Sequence, residues 1–304
     1  MHIALANKIK VLVYGSTGVQ GEPVVRKLLE QGHHVRALIH RRGNAESLVQ
    51  AGAEITLGDL ADRSSLEAAS HSVDAIFLQL PAIIERSITV NYMHNAVDAA
   101  VAAGVKHIVF TTSGPVPSEP TDVIHLEVRR EAQIYLQQSQ IASVILRPVV
   151  YLENFSTPQA LAMIIQQRVV GFPYAADARV SWITVEDQAA LAVKALQRPD
   201  LAGSIFDLGG PEALTGNDLA ARFSAALGYP VHYYPVSPDN FEQQIKLQMG
   251  EATAHDLADI FRWHLHYGTE PLMTPDMTGV LRELPVELTA VEQWATRLFK
   301  QSLV

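Results

Sequence analysis

The 304-residue chain contains no cysteine and has few charged residues. The absence of cysteine excludes disulfides, thiol nucleophiles and cysteine-ligated zinc or iron–sulfur clusters. Charged residues make up 18% of the chain and hydrophobic residues 48%, which is typical of a globular, rather apolar protein. The net charge of -9 argues against a nucleic-acid partner, because binding to phosphates needs a basic surface, although the net charge alone does not exclude a local basic patch.

Long apolar runs and metal-ligand patterns are lacking as well. No run reaches the roughly 20 apolar residues of a transmembrane helix. The first stretch, MHIALANKIKVLVYG, does not have the charge order of a signal peptide. His255 and His264 fall on opposite faces of one predicted helix, so they do not converge on an ion. We therefore expect a cytoplasmic protein with no metal site and no membrane partner.

Short apolar runs alternate with amphipathic ones in the first half of the chain. The apolar runs predict six strands: KIKVLVY, HVRALI, AEITLGD, VDAIFLQL, KHIVFTTS and ASVILRP. Helices are predicted between them, over residues 19–31, 44–50, 64–70, 91–103 and 124–138. Strands that are apolar on both faces and alternate with helices belong to a buried parallel sheet. The pattern predicts an α/β fold with a doubly wound parallel sheet.

After Pro148 the alternation becomes less regular. Residues 156–171, STPQALAMIIQQRVVG, predict a helix, and the end of the chain from residue 239 is mostly helical in pattern. Strand-like segments such as GSIFDLGG and HYYPVS still interrupt the helices. We expect one domain over residues 1–150 and a smaller, partly discontinuous C-terminal α/β lobe over residues 151–304.

The stretch VYGSTGVQGEPVVRKLL places three glycines between the first strand and the first helix. Gly15 would permit a tight turn, Gly18 would let the backbone approach a pyrophosphate, and Gly21 would let helix and strand pack closely. The N–H groups at the start of the helix and its dipole favour an anion there. The sequence therefore predicts a dinucleotide cradle, as opposed to a purely structural turn. Its candidate residues are Gly15, Thr17, Gly18, Val19, Gln20 and Gly21.

The end of the second strand bears on the choice of dinucleotide. Sites that prefer NAD usually place an acidic residue there to hold the ribose 2′-hydroxyl. Here the strand ends in His40, Arg41 and Arg42, and no carboxylate follows before Glu46. Guanidinium groups suit a 2′-phosphate, although basic loops are also common on protein surfaces. We expect NADP(H) to be preferred over NAD(H).

Two further strand ends supply candidate cofactor contacts. Asp59 and Leu60 follow the third strand, and Asp59 could accept from the adenine amino group or cap the next helix. Gln79 and Leu80 lie at the end of the fourth strand. Ligands of doubly wound sheets bind in the crevice at these carboxyl ends.

With these motifs in view, the chain resembles the NmrA-like branch of the atypical short-chain dehydrogenase/reductase superfamily. The matching motifs are GSTGVQG, VRALIHRR, LGDL, AGVKHIVFTTS, HLEVRREAQIYL, LRPVVYLENF and SWITVEDQA, from Lys8 to about Ala190. The resemblance implies a Rossmann domain that binds NAD(P) and a small C-terminal domain. Members of the family include reductases of quinones and other small unsaturated compounds. Others bind the nucleotide to sense redox state.

The chain departs from the superfamily at the catalytic pair. Typical reductases of the superfamily use a Tyr and, four residues later, a Lys that lowers the pKa of the Tyr. The chain contains no Tyr with Lys at that spacing, and His125 and Arg129 stand where the pair is expected. Arg129 matches the Lys position and could hold a ribose hydroxyl or a phosphate. His125 could donate a proton, or it could be a helix residue without a catalytic task.

The segment RPVVYLENF follows the sixth strand. In the family this loop packs against the cofactor and lines the substrate pocket. The resemblance therefore implies nicotinamide contacts for Pro148, Tyr151, Asn154 and Phe155. The two aromatic residues could equally belong to the core.

These observations predict an NADPH-dependent reductase of a small, largely apolar acceptor such as a quinone. A hydride acceptor of that kind can take its proton from water, so the missing Tyr weakens carbonyl reduction more than quinone reduction. One alternative is a protein that binds NADP(H) without turnover and signals redox state to a regulatory protein partner. A third interpretation is a reductase of alkenes or imines of plant or microbial secondary metabolites. A homodimer is a further expectation.

Overall fold

The computed structural model describes residues 8–41, 45–81 and 85–302. The predicted doubly wound α/β architecture is confirmed: seven strands form one sheet in the order β3-β2-β1-β4-β5-β6-β8. The strands are β1 Lys10–Val13, β2 His34–Ile39, β3 Glu54–Leu57, β4 Ala75–Gln79, β5 His107–Thr111, β6 Ala142–Pro148, β7 Val169–Phe172, β8 Ile205–Leu208 and β9 His232–Pro235. The helices are α1 Gly21–Glu30, α2 Glu46–Gln50, α3 Arg63–Ser70, α4 Arg86–Ala102, α5 Ile124–Gln138, α6 Pro158–Ala162, α7 Val185–Leu196, α8 Gly216–Leu227, α9 Pro238–Met249, α10 Glu251–Tyr267, α11 Met277–Glu283 and α12 Val291–Ser302.

The central strands are buried on both faces, as their composition predicts. Val11, Leu12 and Val13 of β1 are fully buried, and β1 pairs in parallel with both β2 and β4. The chain first moves outward to β2 and β3 and then returns to β4 on the other side of β1. That reversal opens a crevice at the carboxyl ends of β1 and β4, where Gly15 and Gln79 lie.

Packing divides the chain into two compact units, each assembled from three stretches. The first unit contains the described residues up to Thr112, Glu131–Leu146 and Gln188–Phe206. The second contains Ser113–Arg130, Arg147–Asp187 and the chain from Asp207 onward. The division into domains at residue 150 stays a sequence-based prediction.

The second unit has an aromatic core and a small sheet of its own. Phe155 packs against Phe172 and Trp182, with ring centroids 5.6 and 5.0 Å apart. Strand β7 pairs in parallel with β9, although the sequence pattern predicted a helix through residue 171. The helical segment ends at Arg168, which has a left-handed φ of 58°, and two valines then continue as strand. Valine favours extended backbone, so it supports this change.

Within residues 8–41, 45–81 and 85–302, every helix is too short or too polar to cross a membrane.

Candidate functional site

The three glycines of the first unit form a tight cradle after β1. Gly15 has a φ of +64°, and a Cβ atom there would lie 2.6 Å from Oε1 of Gln79. The N–H of Gly18 donates to the Gly15 carbonyl at 2.9 Å. A Cβ atom on Gly21 would overlap the same carbonyl, so a side chain at this position would disrupt the cradle. The close approaches at Gly15 and Gly21 leave no room for a side chain in this turn, while the roles of the three glycines toward a nucleotide stay predictions.

The cradle leads into the N-terminus of α1. Gln20 occupies the N-cap position and makes no side-chain capping bond. Thr17 and Val19 are exposed, Val19 to 66%. Ser16 is buried, and its hydroxyl donates to the Leu38 carbonyl at 2.8 Å, which ties the turn to β2. A helix start without a side-chain cap next to a compact glycine turn fits a pyrophosphate group.

The ends of β2 and β3 bring a basic and an acidic group together. His40 Nδ1 lies 3.7 Å from Asp59 Oδ2, and both side chains are exposed. Arg41 is exposed as well, whereas Arg42 falls outside the described residues. Asp59 does not cap α3, because Asp62 accepts from the first-turn N–H groups of that helix. The adenine-binding role of Asp59 stays a prediction.

The other strand-end candidates differ in their surroundings. Gln79 Oε1 is buried and has no hydrogen-bond partner among the described residues, and it lies against the Gly15 turn. A buried amide oxygen without a partner is costly, so it is a natural acceptor for a donor group of a bound ligand. Leu60 and Leu80 are half-buried and pack against the core of the sheet.

His125 and Arg129 of α5 are in direct contact in the second unit. Arg129 Nη2 lies 2.7 Å from His125 Nε2 and 3.3 Å from the Ser113 carbonyl. Because a guanidinium can only donate, His125 Nε2 accepts this bond and the ring proton resides on Nδ1. Nδ1 lies 3.4 Å from Oδ2 of Asp256, which α10 supplies.

Burial determines the charge of this pair. Burial, reinforced by the nearby charge of Arg129, lowers the pKa of His125 to about 4, although Asp256 acts in the opposite direction. Burial also lowers the pKa of Arg129, to about 10, so that it remains a cation at neutral pH. His125 is therefore neutral near pH 7, and its Nε2 is already occupied by Arg129. Proton donation by His125 stays a prediction, and this geometry disfavours it.

The loop after β6 places its candidate residues in different surroundings. Phe155 is 1% exposed and belongs to the aromatic core, which is the alternative that the sequence left open. Pro148 is buried, Tyr151 is half-buried and forms a bridge with Ile183, and Asn154 is exposed. Tyr151 and Asn154 thus retain surface for a ligand.

Glu153 anchors this loop, and sequence reasoning missed it. Its carboxylate accepts from the Val185 N–H at 3.0 Å and from the Trp294 indole N–H at 3.0 Å. Burial raises the pKa of Glu153, so the two donors offset part of the cost of an ionised carboxylate. The bonds fix the loop to the start of α7 and to α12.

One protein-family model matches almost the whole chain. The model described as the NmrA-like family matches residues 7–295. The chain belongs to the NmrA-like family.

Several known proteins resemble this chain over most of its length. It is 30% identical to an NAD(P)H azoreductase of Xenophilus azovorans over 278 residues, which is 90% of this chain and 91% of that protein. An NADPH-dependent quinone oxidoreductase of Escherichia coli, solved with NADPH, is 23% identical and superposes with a TM-score of 0.79, covering 96% of this chain and 100% of that one. The negative transcriptional regulator NmrA, solved with NADP, gives a TM-score of 0.73 at 19% identity, covering 97% and 96%.

Asp256 is the residue of the NmrA-like chain that sequence reasoning missed at the His125–Arg129 pair. It lies 131 positions beyond His125 and is only 5% exposed. The one available signal was its position on α10, where Asp256, Ile260 and His264 share an apolar face at a spacing of four residues. A carboxylate in such a stripe indicates a buried polar contact.

Proposed function

We propose that this protein binds NADP(H) and reduces a small, largely apolar acceptor such as a quinone. The observation that carries the proposal is the glycine cradle. A side chain on Gly21 would overlap the Gly15 carbonyl there, and the buried Gln79 Oε1 has no hydrogen-bond donor among the described residues. The azoreductase and quinone oxidoreductase relatives support a reductase that uses a nicotinamide cofactor.

The proposed cofactor residues have distinct tasks. The turn from Gly15 to Gly21 and the start of α1 would bind the pyrophosphate, and Arg41 would bind the 2′-phosphate. Arg129, Tyr151 and Asn154 would bind and orient the nicotinamide half. When bound, the cofactor supplies the hydride.

The chain does not offer the reduced acceptor either of the two proton donors considered so far. It lacks the Tyr–Lys pair, and the nitrogen of His125 that faces Arg129 carries no proton at neutral pH. Water would therefore protonate the product, which suits an acceptor that forms a stable anion on reduction. This is the reason for favouring a quinone over a simple ketone.

The test is NADPH oxidation by the purified protein, with a panel of quinones, azo compounds and ketones and with NADH as the comparison donor. The proposal predicts turnover with quinones, little with ketones and a preference for NADPH. If only azo compounds were reduced, the protein would still be a reductase, but its acceptor would be an azo compound and not a quinone.

The missing Tyr–Lys pair also favours a second candidate, an NADP(H) sensor that signals to a protein partner. Tight NADPH binding without reduction of any acceptor in the panel would select the sensor. The cytoplasmic location, the homodimer and the regulatory partner remain predictions.

A further inference from the structure

Ser113, Gly114 and His125 closely surround the guanidinium of Arg129, and this set of residues is called the seat below. A Cβ atom on Gly114 would collide with its Nη1, Cζ and Nη2 atoms, so the backbone of Gly114 packs directly on the guanidinium. The neighbouring Ser113 has a φ of 57°, which is rare for a residue with a side chain, and its carbonyl accepts from Arg129 Nη2. Both protein bonds of the guanidinium use Nη2. Within the described residues, Nε and Nη1 make no hydrogen bond.

His125 completes the seat from the same helix, one turn before Arg129. Because His125 Nε2 accepts from Arg129, its Nδ1 must carry the proton. The nearest acceptor for that proton is Asp256 Oδ2, at 3.4 Å, while Asp256 Oδ1 accepts from the His125 backbone N–H at 3.3 Å. The neutral imidazole thus lies between a guanidinium on α5, to which it is hydrogen-bonded, and a carboxylate oxygen on α10 that is 3.4 Å away and makes no hydrogen bond with a described residue.

The burial of Asp256 indicates that its carboxylate depends on the nearby positive charge of Arg129. No Lys or Arg of the described chain lies within ion-pair distance of its carboxylate, and the side chain is 7% exposed. A buried carboxylate with so few bonds is costly unless a positive charge lies nearby, and Arg129 is that charge. Ile260 of α10 packs with Val123 and Leu126 beside this contact and fixes the distance between the two helices.

We propose that Asp256 and His125 are positioning residues that hold the Arg129 guanidinium in one rotamer, so that it is preorganised to bind an anionic or hydroxyl group of the dinucleotide. The negative charge of Asp256 favours the same Nδ1-protonated tautomer of His125 that accepts from Arg129, and the bond from Arg129 to His125 fixes the rotamer of Arg129. This inference rests on the proposed function, since it needs a dinucleotide for Arg129 to bind.

The arrangement of Asp256, His125 and Arg129 is called the relay below. A double-mutant cycle on the dissociation constant for NADPH tests it in the full-length protein. Arg129→Ala should raise Kd about 10–100-fold, the range for a lost charge-assisted bond. His125→Leu should raise Kd by a similar factor, and the double variant should bind no more weakly than Arg129→Ala alone. His125→Gln, whose amide can accept from Arg129 and donate to Asp256, should recover most of the affinity.

The matched control is His264→Leu, which replaces another buried histidine of the second unit. It should lose stability without changing Kd. Circular dichroism and thermal unfolding identify variants that fail to fold, and the comparison is restricted to folded ones. In the protein without nucleotide, nitrogen NMR should find His125 protonated on Nδ1 and not on Nε2.

Additive losses from His125→Leu and Arg129→Ala would overturn the relay and leave the proposed function intact. An Nε2-protonated His125, or equal losses in His125→Leu and His125→Gln, would also overturn it. A wild-type protein that binds neither NADPH nor NADH would overturn the proposed function together with the relay.

Discussion

At the scale of single residues, Gly18 offers the sharpest test of the cradle. A Cβ atom there would lie 3.2 Å from the Gly15 carbonyl, so Ala would fit only tightly and Val would fill the space above the turn. Gly18→Val should abolish NADPH binding, measured by calorimetry, while the protein stays folded. Gly279→Val is the control, because its nearest neighbour would be 3.9 Å away. Undiminished binding by a folded Gly18→Val would place the nucleotide elsewhere.

Arg41 tests the choice between the two dinucleotides. Its side chain is exposed and follows His40, near the carboxyl end of β2. Arg41→Ala should weaken NADPH binding by about 1–3 kcal/mol and leave NADH binding nearly unchanged, since only NADPH carries the 2′-phosphate. Arg198→Ala, which removes an exposed arginine paired with Asp200, is the control. Equal losses for both nucleotides would contradict the assignment.

His125 should make the protein sensitive to mild acid. Its pKa is about 4 in the folded chain and about 6.5 in the unfolded chain, so the unfolded state binds the proton first as pH falls. The stability present above pH 6.5 is therefore lost progressively toward pH 4, by about 2 kcal/mol between pH 7 and pH 5. His264, whose pKa burial also lowers to about 4, adds a similar loss.

Urea unfolding at pH 7 and pH 5 measures this loss. His125→Gln should remove about half of the combined effect of the two histidines, while the exposed His34→Gln should behave as wild type. An acid loss that is the same in His125→Gln and wild type would show that His125 is not the titrating group.

At the scale of elements, the sequence predicts the strands of the large sheet more accurately than the helices and strands of the second unit. Runs such as KVLV and HIVFT are apolar on both faces, and only a buried parallel sheet satisfies them. The strand Val169–Phe172 was missed because the helical pattern runs on until Arg168 adopts a left-handed φ. The contact of Asp256 with His125 was out of reach, since no local pattern links residues 131 positions apart.

The anchor of the loop after β6 gives a prediction at this scale. Trp294→Phe keeps the aromatic packing of α12 but removes the indole N–H that Glu153 Oε1 accepts from. A buried acceptor left without its donor should lower the free energy of unfolding by about 1–3 kcal/mol. Trp263→Phe is the control, because the described structure gives its indole N–H no acceptor. If Trp294→Phe and Trp263→Phe had the same free energy of unfolding, the bond from Trp294 to Glu153 would not anchor the loop.

At the scale of the whole molecule, the chain passes repeatedly between its two compact units. Four of the five unit boundaries fall inside α5, β6, α7 and β8, so none of these elements belongs to one unit alone. Strand β8 lies at the edge of the large sheet beside β6, and the Ile145 N–H donates to the Ser204 carbonyl at 3.0 Å. The sheet is thus completed by residues far beyond position 150.

This threading predicts that residues 1–150 do not fold by themselves. Such a fragment lacks α7, whose residues Ala189, Leu191, Ala192, Val193 and Ala195 are completely buried, and it lacks β8. Without them the edge of β6 and a broad apolar surface would be exposed, which favours aggregation over folding. Urea unfolding followed by circular dichroism should therefore show one cooperative transition for the full chain and none for the fragment. A fragment that unfolds cooperatively and binds NADPH would instead establish an independent domain that ends near residue 150.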